Sequence, residues 1–113
     1  MFFNDQDIQF DIVDSNTTRK VLAHSDQLMY VKVMFAKAQT GEILLHKHVH
    51  EQVTYVIKGS FKFIIDNGET KEVQTVKEGD SIHFPSDTLH GCIPLEDGGI
   101  LLDAFTPARA DFL

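Results

Sequence analysis

At 113 residues and 12.8 kDa, the chain has room for one hydrophobic core and one site, because domains usually run to about 100–200 residues. A composition of 42% hydrophobic and 24% charged residues excludes a disordered or fibrous chain. Ten Lys and Arg stand against seventeen Asp and Glu, for a net charge of -7. With no basic run longer than Arg19-Lys20, this argues against nucleic-acid binding through phosphate neutralisation.

In chain order, the first residues, Met1-Phe2-Phe3-Asn4-Asp5-Gln6-Asp7, turn acidic at once and lack the basic end and apolar run of a secretory leader. No apolar stretch approaches the roughly 20 residues that span a bilayer. The single cysteine, Cys92, excludes an internal disulfide and a cysteine-based zinc cluster, and it fits a reducing, cytoplasmic compartment. Short segments with β-branched and aromatic residues at alternate positions predict strands over 9–13, 20–23, 29–36, 43–48, 53–58, 60–65, 70–76, 81–84, 90–93 and 99–105. Asp66-Asn67-Gly68 is the clearest hairpin turn, and Gly59 and Gly79-Asp80 punctuate in the same way. No amphipathic helix or repeat stands out. So many short strands in one small all-β domain over residues 1–113 must close into a barrel or fold into a jelly-roll sandwich to manage their edges. A chain of this size buries only roughly 60–70% of its unfolded surface, so a homodimer is a plausible further source of stability.

Three of the six histidines fall in His46-Lys47-His48-Val49-His50. On an extended segment, residues two apart share a face, so His46 and His48 present two imidazoles side by side, as a metal ion requires. Gln52 would lie about 13 Å beyond His48 on a straight strand. A turn at His50 and Glu51 must therefore bring it back, with 53–57 as the return strand. His90, after Pro85 has ended the preceding strand, supplies a further candidate ligand facing the first pair. His50 suits a supporting or solvent role, Glu51 could replace Gln52 if the turn were one residue tighter, and His24 and His83 read as surface residues. Cys92 shares the parity of His90 and reads as a buried, inert thiol.

The order His46-x-His48-x3-Gln52-x6-Gly59, preceded by Gly41, resembles the first signature of the cupin superfamily, and Gly79-x5-Pro85-x4-His90 resembles the second. The resemblance implies a cupin β-barrel, the double-stranded β-helix or jelly roll, whose mouth holds one divalent metal ion. The sequence departs from the pattern in four places: Gly41 is one residue close to His46, Gln52 replaces Glu, Asp87 replaces a turn Gly, and Pro94 stands where a turn Asn is typical. A neutral amide at 52 leaves the ion about one charge unit more positive than a carboxylate would, which favours anionic ligands and Lewis-acid chemistry. Ni, Zn, Mn, Fe and Co all suit three imidazoles and an amide oxygen.

His48-x-His50-Glu51-Gln52-x2-Tyr55-Val56, together with Leu102-Asp103-Ala104-Phe105-Thr106-Pro107-x-Arg109-x-Asp111-Phe112, is similar to the KdgF-type pectin-degradation cupins. That likeness implies ring opening of a 4,5-unsaturated uronate, an anionic sugar, to the linear 5-keto-4-deoxyuronate in pectin or alginate breakdown. It also implies His46, His48, Gln52 and His90 as metal ligands, Asp103 as the catalytic carboxylate, and Phe105 and Arg109 as substrate contacts. Independently of any resemblance, Asp103 interrupts the apolar run Ile100-Leu101-Leu102-Asp103-Ala104-Phe105. A carboxylate there is costly to bury unless paired or protonated, and burial raises its pKa towards the range where proton transfer works best. Arg109 offers a planar fork for a sugar carboxylate. Asp103 as a salt-bridge anchor, Arg109 as a solvated or dimer-contact residue and Phe105 as core remain open, as do a redox-metal oxygenase and a non-catalytic sugar-binding or sensor module.

Overall fold

The computed structural model describes residues 1–113, and its regular structure is almost entirely β. Nine strands form: β1 (Asp11–Ile12), β2 (Thr17–His24), β3 (Met29–Phe35), β4 (Glu51–Lys58), β5 (Ser60–Asp66), β6 (Lys71–Lys77), β7 (Ser81–Phe84), β8 (Leu89–Pro94) and β9 (Ile100–Thr106). Single 3-10 turns occupy Asp5–Asp7 and Ala110–Phe112, and no helix is long and apolar enough to cross a membrane.

Hydrogen bonding is divided between a six-stranded sheet, ordered β1-β2-β3-β9-β4-β7, and a three-stranded sheet, β6-β5-β8. All pairings are antiparallel. The two sheets face one another as a sandwich, the jelly-roll form of the predicted cupin architecture, and do not close edge to edge into one continuous barrel. Their shared core joins Val56, Phe84 and Leu101 of the larger sheet to Phe61, Phe63 and Val76 of the smaller. A second cluster, Met29, Val31 and Phe105, fills the end where the candidate site lies.

The alternation expected of half-buried strands is clearest in β4. Gln52, Thr54 and Val56 are buried, whereas Glu51, Val53, Tyr55 and Ile57 are exposed on the outer face. Two of the three inward residues are polar, which places a hydrophilic patch inside the sandwich.

The predicted strand over 43–48 does not form. These residues have no regular structure, and His46 alone makes a single antiparallel bridge, to His90. Their proximity to β8 depends on Gly91: a Cβ there would strike the Leu44 carbonyl oxygen and lie 3.1 Å from the Ile43 side chain. The reversal before β4 lies at Val49 and His50, one residue earlier than expected, because Glu51 already belongs to the strand. At the second signature, Asp87 adopts the left-handed φ of 58°, so it occupies the turn conformation for which a glycine is the easier choice. Pro94, by contrast, closes β8 and does not sit in a turn.

Candidate metal centre

Four separate stretches of chain supply the site. His46 and His48 come from the irregular segment beside β8, and His90 comes from β8 itself. Gln52 and Thr54 come from the inner face of β4, and Asp103 and Phe105 from the inner face of β9. Register explains the last grouping, since Thr54 lies directly opposite Asp103 and Gln52 opposite Phe105.

The nitrogen donors of His46, His48 and His90 lie within 4.8 Å of one another, and the ring centroids are 4.5 to 6.0 Å apart. Backbone carbonyls fix two of the rings. His48 Nδ1 lies 2.9 Å from the His50 oxygen, and His90 Nδ1 lies 2.8 Å from the Thr88 oxygen. A neutral ring that donates from Nδ1 keeps its lone pair on Nε2. His90 Nε2 is buried with no hydrogen-bond partner, a costly state for a polar atom unless a ligand satisfies it.

Gln52 Oε1 stands 3.1 Å from His48 Nε2. With Nδ1 turned to the His50 carbonyl, His48 Nε2 and the Gln52 oxygen stand close enough to share one cation. The donor set therefore fits a metal ion: three imidazole nitrogens and one amide oxygen, with one nitrogen orphaned.

Charge states agree with this. Burial, with the neighbouring His48 and Arg109 adding to it, holds His46 below the usual histidine range. Burial pushes His90 down to about 4, helped by His46, His48 and Arg109 against the opposing Thr88 bond. Both rings are neutral at neutral pH, the state that binds metal.

With the His48 ring 5.0 Å from that of His90, His46 and His90 line a cavity of about 170 Å³ together with Gln52, Cys92, Asp103, Phe105 and Arg109. That is below the roughly 300 Å³ at which pockets for drug-sized ligands begin, so the space suits a small molecule. Larger cavities of about 240 and 210 Å³ lie along the gap between β6 and β7, far from this chemistry in residue content. Asp103 is only partly accessible. Its pKa is pushed up to about 6 by burial, against the pull of hydrogen bonds from Thr54 and Gln52 and of the Arg109 charge. It makes no ion pair, so the salt-bridge reading of this residue falls.

Arg109 lies at the mouth. Its guanidinium is 5.3 Å from the Phe105 ring centre and 4.3 Å from that of Phe112, and it bonds Asp111 through Nε at 3.1 Å and Nη2 at 2.9 Å. Arg19 packs on Phe112 as well, 3.7 Å from the ring centre. Together these contacts pin the C-terminal turn over the pocket. Phe105 is 3% exposed and belongs to the second core cluster, and its ring meets that of His48 in a T-shaped contact, 5.7 Å between centres, so packing is its first role.

Other sequence candidates lie elsewhere. Glu51 points to the outer face and pairs with His83 at 2.7 Å. His24 packs on Phe3, and His50 flanks His48 with its ring centre 5.4 Å away. Cys92 lines the cavity, and burial followed by the charge of Asp103 raises its thiol to about 12, which keeps it protonated and inert. Thr54 was not anticipated as a site residue. Its signal was the inward parity it shares with Gln52.

Comparison with known proteins agrees with this geometry. A family model described as a cupin domain matches residues 32–100. The pectin degradation protein KdgF of Dickeya dadantii (strain 3937) is 38% identical over 113 residues, covering 99% of this chain and 97% of its own. Among solved structures, KdgF from a Halomonas species superposes with a TM-score of 0.86 at 32% identity, covering 100% of this chain and 98% of that one. An RmlC-like cupin from Shewanella frigidimarina superposes at 0.85 with 33% identity, covering 99% and 95%.

Proposed function

This chain belongs to the cupin family, and from that premise we propose that it opens the ring of 4,5-unsaturated uronates to give 5-keto-4-deoxyuronate, in the breakdown of pectin or alginate. The observation that carries the reading is a cluster of three histidines able to bind one metal, two of which, His46 and His90, line one small cavity with Asp103, a carboxylate that makes no ion pair. Full-length similarity to the pectin degradation protein KdgF supports the substrate class.

His46, His48, His90 and the Gln52 oxygen would hold one divalent ion. When bound, such an ion supplies Lewis-acid stabilisation of developing negative charge on oxygen. Arg109, with Nε and one Nη2 hydrogen held by Asp111, receives the uronate carboxylate at the mouth through its remaining Nη1 and Nη2 hydrogens, and the Phe105 ring limits where the sugar ring can lie. Asp103 takes the proton from the anomeric hydroxyl as the C1 carbonyl forms and the bond from C1 to the ring oxygen breaks. The electron pair passes to the former ring oxygen, giving an enolate over C4 and C5. Asp103 then returns its proton to C4, leaving the C5 ketone, so no atom is gained or lost. A carboxyl with a pKa near 6 suits both directions of transfer.

The test is to incubate the metal-loaded protein with unsaturated uronates from pectin and from alginate, follow products by NMR, and measure metal content by elemental analysis. Ring-opened 5-keto-4-deoxyuronate formed faster than in buffer supports the reading. Unchanged cyclic substrate, or oxygen uptake in its place, overturns it.

We also propose a homodimer built on the outer face of the larger sheet. Tyr30, Val53, Tyr55 and Ile57 are 41 to 49% exposed there, side by side with Leu102 and Ala104 in the registers of β3, β9 and β4. Those three strands, about 4.8 Å apart and about 7 residues long, give roughly 330 Å² in plan before side-chain relief is counted, and the rest of the about 800 Å² that each partner buries in a standard interface would come from the flanking strands.

A further inference from the structure

Between the candidate ligand Gln52 and the candidate base Asp103 lies one hydroxyl, that of Thr54. Thr54 is 1% exposed. Its Oγ1 donates to Asp103 Oδ1 at 2.7 Å and accepts from Gln52 Nε2 at 2.8 Å. A threonine has a single hydroxyl proton. Once that proton is given to a carboxylate, the oxygen can only accept, so the group that faces it from residue 52 must be the NH2. The amide oxygen is thereby turned the other way, towards His48 Nε2 at 3.1 Å.

We infer that Thr54 is a positioning residue that aims the Gln52 carbonyl at the histidine cluster and, with the same oxygen, holds the Asp103 carboxylate in place. The donors run one way, from Gln52 through Thr54 to Asp103, and the Gln52 amide also donates towards Asp103 itself. This gives a reason for an amide at position 52. A glutamate there has no proton to offer either group, so two carboxylates would compete for the one Thr54 hydroxyl hydrogen.

The inference about Asp103 rests on the ring-opening reading, whereas the inference about Gln52 does not, and the experiment separates the two. Ni2+ affinity is measured by calorimetry on chelator-stripped protein, and ring opening is measured on the reloaded protein. Thr54→Val keeps the shape and removes both hydrogen bonds. It is expected to weaken Ni2+ binding about tenfold and to lower kcat about a hundredfold with KM within about threefold, the range seen when groups supporting metal ligands are lost. Thr54→Ser is expected to restore both to within about threefold, which a purely space-filling role would not produce. Gln52→Glu is expected to bind Ni2+ more tightly while kcat falls at least about tenfold.

Thr54→Val with parental affinity and kcat overturns the inference, and so does a folded Thr54→Ser that fails to rescue. If Thr54→Val does not fold, Gln52→Glu decides, because parental or faster turnover in that variant overturns it. Should the parent open no ring at all, the functional reading falls, and the Ni2+ titrations still decide whether Thr54 aims Gln52.

Discussion

His46 and His90 exchange both of their backbone hydrogen bonds, each at 2.9 Å, and their rings stand 4.5 Å apart. This bridge brings together two parts of the chain 44 positions apart, and one further backbone bond, from the Asp87 N–H to the His48 oxygen at 2.8 Å, ties the segment to the turn before β8. The metal centre is therefore assembled by fewer contacts than a full β-ladder provides, made possible by the bare backbone of Gly91 against Leu44.

Gly91→Ala should injure the site more than the fold. The new methyl must push the Leu44 carbonyl away, and overpacking of this kind costs about 1–3 kcal/mol. Because the displaced segment carries His46 and His48, metal affinity should fall at least about tenfold. Calorimetric metal titration beside thermal melts checks this, and unchanged affinity with an unchanged melting temperature contradicts it.

Removal of the metal should lower stability. An ion that binds only the folded chain contributes about 2.7 kcal/mol at a free concentration one hundred times its Kd, and in a domain of this size each kcal/mol moves Tm by about 4–8 °C. Chelation should thus lower Tm by roughly 10–20 °C, with recovery on adding the ion back. A chelator-treated protein, shown by elemental analysis to have lost its metal, that melts at the same temperature speaks against the centre.

Asp103 gives a pH prediction with a definite sign. Its folded pKa, about 6, lies above the ordinary aspartate value of 3.8, so between these values the folded chain holds a proton that the unfolded chain has released. Its contribution to stability is therefore most favourable below about pH 4, declines as pH rises through about 6, and above that is a penalty of up to about 3 kcal/mol. In chelator-stripped protein, Asp103→Asn should melt higher than the parent at pH 7.5, and the difference should vanish near pH 4. The same variant should have lost ring opening. Denaturation curves across this range, with NMR assays on reloaded protein, test both halves, and near-normal turnover in the variant ends the assignment of Asp103 as base.

Much of this was legible in the sequence, and the exceptions have physical causes. A strand with regular alternation, β4 above all, announced itself because one face is buried and the other wet. Asp103 was visible because a charge on an apolar strand must be accounted for. The 43–48 segment misled because Ile43, Leu44 and Leu45 carry the side chains of a strand, whereas strand formation needs a paired neighbour, and only His46 finds one. Thr54 was missed because a threonine is unremarkable on a strand. Its importance comes from the register that sets it opposite Asp103, which no local pattern encodes.

The proposed dimer predicts a clean effect of charge on the outer face. Tyr55 is 47% exposed and lies beside Leu102, near the middle of the apolar area. Tyr55→Asp should leave the inner face of β4 untouched and shift the mass measured by light scattering from twice 12.8 kDa to 12.8 kDa. A parent that is already monomeric at about 0.1 mM, well above the affinity expected of a standard interface, refutes the pairing.

Arg109 separates binding from turnover. Its Nε and Nη2 engage Asp111, and the stack on Phe112 fixes the plane of the guanidinium. The charge is therefore held at the pocket mouth before substrate arrives, and little ordering remains to be done on binding. Arg109→Lys keeps the charge but loses the fork and the stacking plane, so the substrate carboxylate would meet a point charge on a flexible stem. KM should rise about tenfold, the equivalent of about 1.4 kcal/mol, with kcat changed less than about threefold because Asp103 and the histidines stay in place. Steady-state kinetics on the reloaded variant decide the matter. A fall in kcat at constant KM would move Arg109 from holding the carboxylate to stabilising the enolate.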